Sequence, residues 1–121
     1  MKVQIKGSAI ELTSAIKDYV EKRILSLEKY IHEENEEALA MVEVGKITHH
    51  HRNGDVFRAE VSLVSHGRKY YAAVEKDDLY AAIDEVKDEI MREMISSKEK
   101  RETLLRRGGA KIKSLMKRLK F

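Results

Sequence analysis

The sequence predicts an α+β protein, a two-layer sandwich ordered strand-helix-strand-strand-strand-helix. Both helices are expected on one face of a four-stranded sheet. Three observations carry this. Leu79, Ile83, Val86, Ile90 and Met94 recur at the spacing of one helix face. Phe57, Ala59, Val61 and Leu63 alternate with Arg58, Glu60 and Ser62, the period of a half-buried strand. The connections within residues 38–74 are short, which requires neighbouring strands to run antiparallel. Two one-striped helices and a sheet with one apolar face bury their apolar surface together only as two layers.

In chain order, Val3 and Ile5 alternate with Lys2, Gln4 and Lys6, a short first strand that Gly7-Ser8 is expected to end. Thr13 is the cap candidate of the first helix, with Leu12 placed to staple onto it. Ile16, Val20, Ile24, Leu27 and Ile31 form its stripe, widened by Tyr19 and Tyr30. Those two tyrosines are expected to close the core, with their hydroxyls at its edge. Residues 33–37 hold four glutamates, expected to end the helix in a solvated acidic loop.

The second strand is expected over residues 38–48, with Ala40, Val42 and Val44 on one face and Leu39, Met41 and Glu43 on the other. Asn53-Gly54 marks the turn to the third strand, and residues 65–68 the turn to the fourth, over residues 69–74. Of the adjacent Tyr70 and Tyr71, one must face outward. Asp77 or Asp78 caps the long second helix, where Ala81 and Ala82 allow close approach. That helix is expected to reach about Arg107, with Gly108-Gly109 as its stop or hinge.

The 121 residues suit one domain, and the absence of cysteine excludes disulfides and thiol catalysis. The N-terminus lacks the apolar run of a signal peptide, and no segment approaches the ~20 apolar residues of a membrane span. A soluble, cytoplasmic protein is expected. The net charge of +3 conceals a division. Residues 1–95 carry 14 Lys+Arg and 19 Asp+Glu, or −5, whereas residues 96–121 carry 10 and 2, or +8. Such clustered cations suit a polyanion, nucleic acid or an anionic membrane surface, and equally a solvated, disordered tail. Ile112, Leu115, Met116 and Leu119 lie at helical spacing within this basic segment, which is too short to be stably helical alone.

Nothing in the sequence supports catalysis. It lacks a Gly-rich phosphate loop, a Gly-x-Ser-x-Gly elbow and a His-Glu-x-x-His helix. The carboxylates are spread over outward helix positions and loops, so no enzyme and no cofactor is expected. His49, His50 and His51 adjoin on a turn, where successive side chains alternate in direction and do not converge on one ion. They read as a polar turn rather than a metal site. No aromatic pair resembles a base-stacking sheet, so any RNA would be held through phosphate and shape.

Several runs resemble the bacterial ribosome hibernation-promoting factors, or ribosome-associated inhibitors. They are Ile5-Lys6-Gly7 leading to Thr13, Leu27-Glu28-Lys29-Tyr30, Val42-Glu43-Val44 and Phe57-Arg58-Ala59-Glu60-Val61. The most specific is Asp77-Asp78-Leu79-Tyr80-Ala81-Ala82-Ile83-Asp84. The resemblance is collinear over about residues 1–101 and implies a fold similar to double-stranded RNA-binding domains. It implies a ribosome-binding domain over 1–101; the basic extension over 102–121 lies beyond it and, from its charge and short apolar stripe, is expected to be mobile when free. It also implies a partner, the small ribosomal subunit and its ribosomal RNA, with the messenger and transfer RNA channel occupied, translation blocked and idle ribosomes preserved under stress.

The RNA-binding positions it implies are Lys22, Arg23 and Lys29, then Lys87 and Arg92, then Lys98, Lys100 and Arg101. Arg106 and Arg107 extend this set into the tail. Family members often carry His-Lys where this chain has Ser97-Lys98. Long members append a dimerisation domain for which residues 102–121 are too short, so a short form, monomeric when free, is expected. A general structured-RNA binder or RNA chaperone, and a basic membrane-surface module, are the alternative readings. No small-molecule substrate is expected, and the ribosomal reading involves no membrane.

Overall fold

The computed structural model describes residues 1–31, 38–47, 54–65 and 67–119, with side chains as far as Arg106. Its elements are β1 (Lys2–Ser8), α1 (Ser14–Leu25), a 3-10 turn (Ser26–Tyr30), β2 (Leu39–Ile47), β3 (Val56–Ser65), β4 (Arg68–Lys76) and α2 (Leu79–Leu119). The strands lie in the order β1-β2-β3-β4. β1 is parallel to β2, and the other two pairs are antiparallel. The parallel pair requires a crossover, which α1 provides.

Register places the apolar residues in rows. Ile5, Val42, Val61 and Ala72 pair in sequence across the four strands, as do Val3, Ala40, Leu63 and Tyr70. Against these rows pack Val20, Ile24 and Leu27 from the first helical segment and Leu79, Ala82, Ile83, Val86, Ile90 and Met94 from α2. All five stripe residues of the second helix are buried, and Tyr71 is the outward member of its pair. The expected two-layer α+β sandwich is the observed one.

Both helix starts are capped. Thr13 Oγ1 accepts the Ile16 N–H at 3.2 Å, and Asp78, not Asp77, accepts the Ala81 N–H at 3.0 Å. A hydroxyl or carboxylate there satisfies an N–H that the helix itself leaves unpaired. Ala82 is buried, whereas Ala81 is exposed.

Three local expectations change. The first strand continues through Gly7-Ser8, which pair with Val44 and Gly45. Here glycine permits close approach rather than a break: a Cβ on Gly45 would lie 2.6 Å from the Ser8 carbonyl oxygen, and one on Gly7 2.8 Å from Leu12 Cγ. The first helix ends at Leu25, not near Ile31, and tightens into the 3-10 turn, where the Ser26 hydroxyl donates to the Arg23 carbonyl. Finally, α2 runs through Gly108 and Gly109 to Leu119, so the glycine pair does not stop it. Extending a formed helix needs no new nucleus, and each glycine costs only ~1 kcal/mol relative to alanine. The acidic run at 33–37, the turn residues 49–53 with their three histidines, and His66 lie outside the described residues.

Candidate nucleic-acid interface

The cations singled out in the sequence all lie on the helical side. Lys22 and Arg23 end α1, Lys29 sits on the 3-10 turn, and the rest line α2. Position along a helix fixes where each one points. Arg92 is two residues from both Ile90 and Met94, about 200° round the helix, and so lies on the side away from the sheet. It is 60 % exposed.

Packing of α1 against α2 decides what Arg23 does. The Tyr19 hydroxyl donates to Asp84 Oδ1 at 2.7 Å, and Arg23 Nε lies 3.1 Å from the same oxygen. The Arg23 guanidinium covers the Tyr19 ring at 5.1 Å, and Tyr80 meets that ring edge-on at 4.8 Å. The Tyr19 hydroxyl is held above the ordinary phenol range, foremost by its bond to the Asp84 carboxylate. Arg23 is raised as well, first by the Tyr19 hydroxyl and then by the charge of Asp84. Arg23 is thus a strut between helices, and a phosphate must compete with Asp84 for it.

The remaining positions differ in availability. Lys87 Nζ lies 2.6 Å from Asp88 Oδ1, and its side chain is only 17 % exposed. Arg92 has Glu85 at 3.7 Å, and Lys98 has Glu102 one turn on at 3.8 Å. Lys29 Nζ stands over the Tyr30 ring at 5.2 Å, and the Tyr30 hydroxyl reaches Met91 Sδ at 3.2 Å. Both tyrosines are partly buried against the core with their hydroxyls at its edge, as expected, but the edge they close lies between the helical segments rather than between helix and sheet. Lys22, Lys100 and Arg106 are exposed.

Lys98, Lys100 and Arg101 do not form one cluster. Lys98 and Arg101 are neighbours three residues apart, but Lys100 lies about 200° from Lys98, on another side of α2. Arg101 falls in line with Met94, on the core-facing stripe, and its Nη1 is buried without a hydrogen-bond partner among the described residues. The side chain of Arg107 lies outside those described.

Sequence reasoning missed the counter-ions. Asp84, Glu85 and Asp88 interleave with the cations of the first half of α2 and hold Arg23, Lys87 and Arg92 in ion pairs. It also missed a network on the opposite, solvent-facing side of the sheet. There Arg58 Nη2 donates to Glu60 Oε2 at 2.8 Å, and the Tyr71 hydroxyl donates to the same oxygen at 3.0 Å. Arg58 holds the Glu60 carboxyl below its ordinary value. Among the described residues no three His, Asp or Glu side chains gather as metal ligands. No described helix is long and apolar enough to cross a membrane.

These features define a class: a β-α-β-β-β-α module whose two-helix layer carries cations and whose last helix projects past the sheet. The chain belongs to the family described as Sigma 54 modulation protein / S30EA ribosomal protein, which it matches over residues 3–102. It is 29 % identical over 100 residues to the ribosome hibernation promoting factor of Escherichia coli, covering 83 % of this chain and 96 % of that one. The factor of the same name from Azotobacter vinelandii is 33 % identical over 100 residues, covering 83 % and 85 %. Among solved structures, the N-terminal domain of Thermus thermophilus Protein Y superposes with a TM-score of 0.64 at 32 % identity, over 78 % of this chain and 96 % of that one. A ribosomal subunit interface protein from Coxiella burnetii shares the fold, with a TM-score of 0.65 at 16 % identity over 82 % and 99 %.

Proposed function

We propose that this chain is a ribosome-binding translation inhibitor that occupies the messenger and transfer RNA channel of the small subunit and preserves idle ribosomes. The observation that carries this reading is the family match over residues 3–102, joined to relatives whose names describe ribosome hibernation. The cation-bearing helical layer supplies the chemistry. Lys22, Lys29 and Arg92 face outward from it, and Lys98, Lys100 and Arg106 follow on α2. Each cation that meets a phosphate releases a condensed counter-ion, so the contact is strong and falls steeply with salt.

The inhibition is steric and stoichiometric, by a cytoplasmic protein that turns over no substrate. Contacts to phosphate position the domain, and the shape of the channel selects it. A sucrose-gradient profile of stationary-phase lysate, probed for this protein, tests the reading. The protein is expected with small subunits and whole ribosomes, displaced by added messenger or transfer RNA. Recovery only at the top of the gradient overturns the proposal. Equal affinity for any RNA duplex marks a general RNA binder instead.

A further inference from the structure

We propose that residues 103–119 are a helical arm that grips structured RNA through its phosphates, a second contact beyond that of the domain. The proposal deepens the ribosomal reading and rests on it for the source of the RNA.

The last core residue of α2 is Met94, yet the helix continues unbroken to Leu119. Twenty-five further residues at 1.5 Å each carry the backbone about 37 Å past the core. Leu104 and Leu105 are 64 % and 61 % exposed, so the domain does not cover the helix there. The family match stops at residue 102.

Residues 103–121 contain seven Lys+Arg and no Asp or Glu. Positions 107 and 111, and 113 and 117, are like charges four apart, which oppose a helix unless anions screen them. Helical register then sorts the six cations within the arm. Positions 106, 113 and 117 fall in one row, and 107, 111 and 118 in a second row about 120° round. Two parallel basic rows on one rod suit the two phosphate backbones that border a groove of duplex RNA. The only aromatic residue after Tyr80 is Phe121, beyond the arm, so base stacking has no platform and single strands are not the target. Positions 112, 115, 116 and 119 make an apolar row on the remaining side, the feature a lipid surface would use. Membership in a ribosomal protein family selects RNA over lipid.

The test measures binding of the full-length chain across a salt series to a base-paired RNA hairpin, to purified small subunits and to anionic phospholipid vesicles. One variant carries Lys111→Gln, Lys113→Gln, Lys117→Gln and Arg118→Gln; a second, Gly109→Pro, keeps every charge but interrupts the helix. The glutamine variant is expected to bind hairpin and subunits at least about tenfold more weakly at low salt, with the log–log salt slope reduced by about 0.9 for each phosphate no longer neutralised. The proline variant is expected to weaken both as well, because the rows lose their common axis. An unchanged slope in the glutamine variant overturns the arm. So does wild-type affinity in the proline variant, which means an unstructured polycation suffices. Vesicle binding that falls while RNA binding does not assigns the arm to lipid and overturns it equally. Wild-type chain that binds hairpin but not subunits defeats the ribosomal reading alone.

Discussion

The Tyr19 hydroxyl donates to Asp84 Oδ1 at 2.7 Å, joining α1 to α2 across 65 residues of sequence. Because Arg23 shares that oxygen, one carboxylate both fastens the helices together and holds a cation that would otherwise face solvent.

Tyr19→Phe removes the hydroxyl and leaves Asp84 with Arg23 alone. A loss of about 0.5–1.5 kcal/mol in urea unfolding is expected, the net worth of one part-buried hydrogen bond. The pH dependence has a definite sign. The folded protein holds the Tyr19 proton more tightly than the unfolded chain, so this stabilisation is complete below the ordinary phenol value and is lost as pH rises through the raised one. Wild type should therefore lose the difference from Tyr19→Phe at alkaline pH. An equal gap at pH 7 and pH 11 contradicts the assignment.

Asp84→Asn should release Arg23. Stability should change little, since the ion pair is about half exposed and such pairs contribute ~1 kcal/mol or less. If the helical layer meets RNA as proposed, affinity for small subunits should rise and its salt slope steepen, because one more cation is released to bind phosphate. Weaker binding would mean that Arg23 must be held by Asp84 to reach its phosphate.

Glu60 has the opposite linkage to Tyr19. Its folded pKa is lowered, first by Arg58, so its stabilisation is present above the ordinary glutamate value and disappears as pH falls through the lowered one. Both side chains are about a third or more exposed, which limits the effect to less than ~1 kcal/mol. Glu60→Gln should flatten the acid limb of the stability profile by that amount; urea midpoints from pH 7 to pH 2 measure it.

Ile83→Ala and Ile90→Ala each empty a fully buried position where α2 meets the sheet. Each should cost about 2–5 kcal/mol. Gly45→Ala should cost about 1–3 kcal/mol for the opposite reason, since its Cβ has no room beside the Ser8 backbone. Calorimetric melting of the three variants checks both effects. A neutral Gly45→Ala would mean that β1 slides freely on β2.

Lys98→Ala, Lys100→Ala and Arg101→Ala combined should weaken subunit binding and lower the salt slope by about one unit for each phosphate left without its cation. Since Lys98 and Lys100 lie on different sides of the helix, their single variants should be unequal. Equal losses would require RNA on both sides of α2 there.

Inhibition in a cell-free translation reaction should saturate near one protein per small subunit if occupation alone accounts for it. Full inhibition at a small fraction of ribosome concentration would mean turnover.

The sequence by itself determined the element order, the buried face of each element and the ribosomal family. Those properties are written in local periods. Leu79, Ile83, Val86, Ile90 and Met94 mark a helix face wherever that helix packs, and Ala59, Val61 and Leu63 mark a strand face likewise. The glycines misled because their meaning depends on neighbours. Gly7 reads as a break until Leu12 is placed beside it, and Gly108-Gly109 reads as a stop until α2 is seen to run through. Only the tertiary structure decided which cations are free. Formal charge is a property of one residue, but its availability depends on what packing brings within a few ångströms. Asp84 came to Arg23 because two helices share one sheet, a contact that no local period of the sequence encodes.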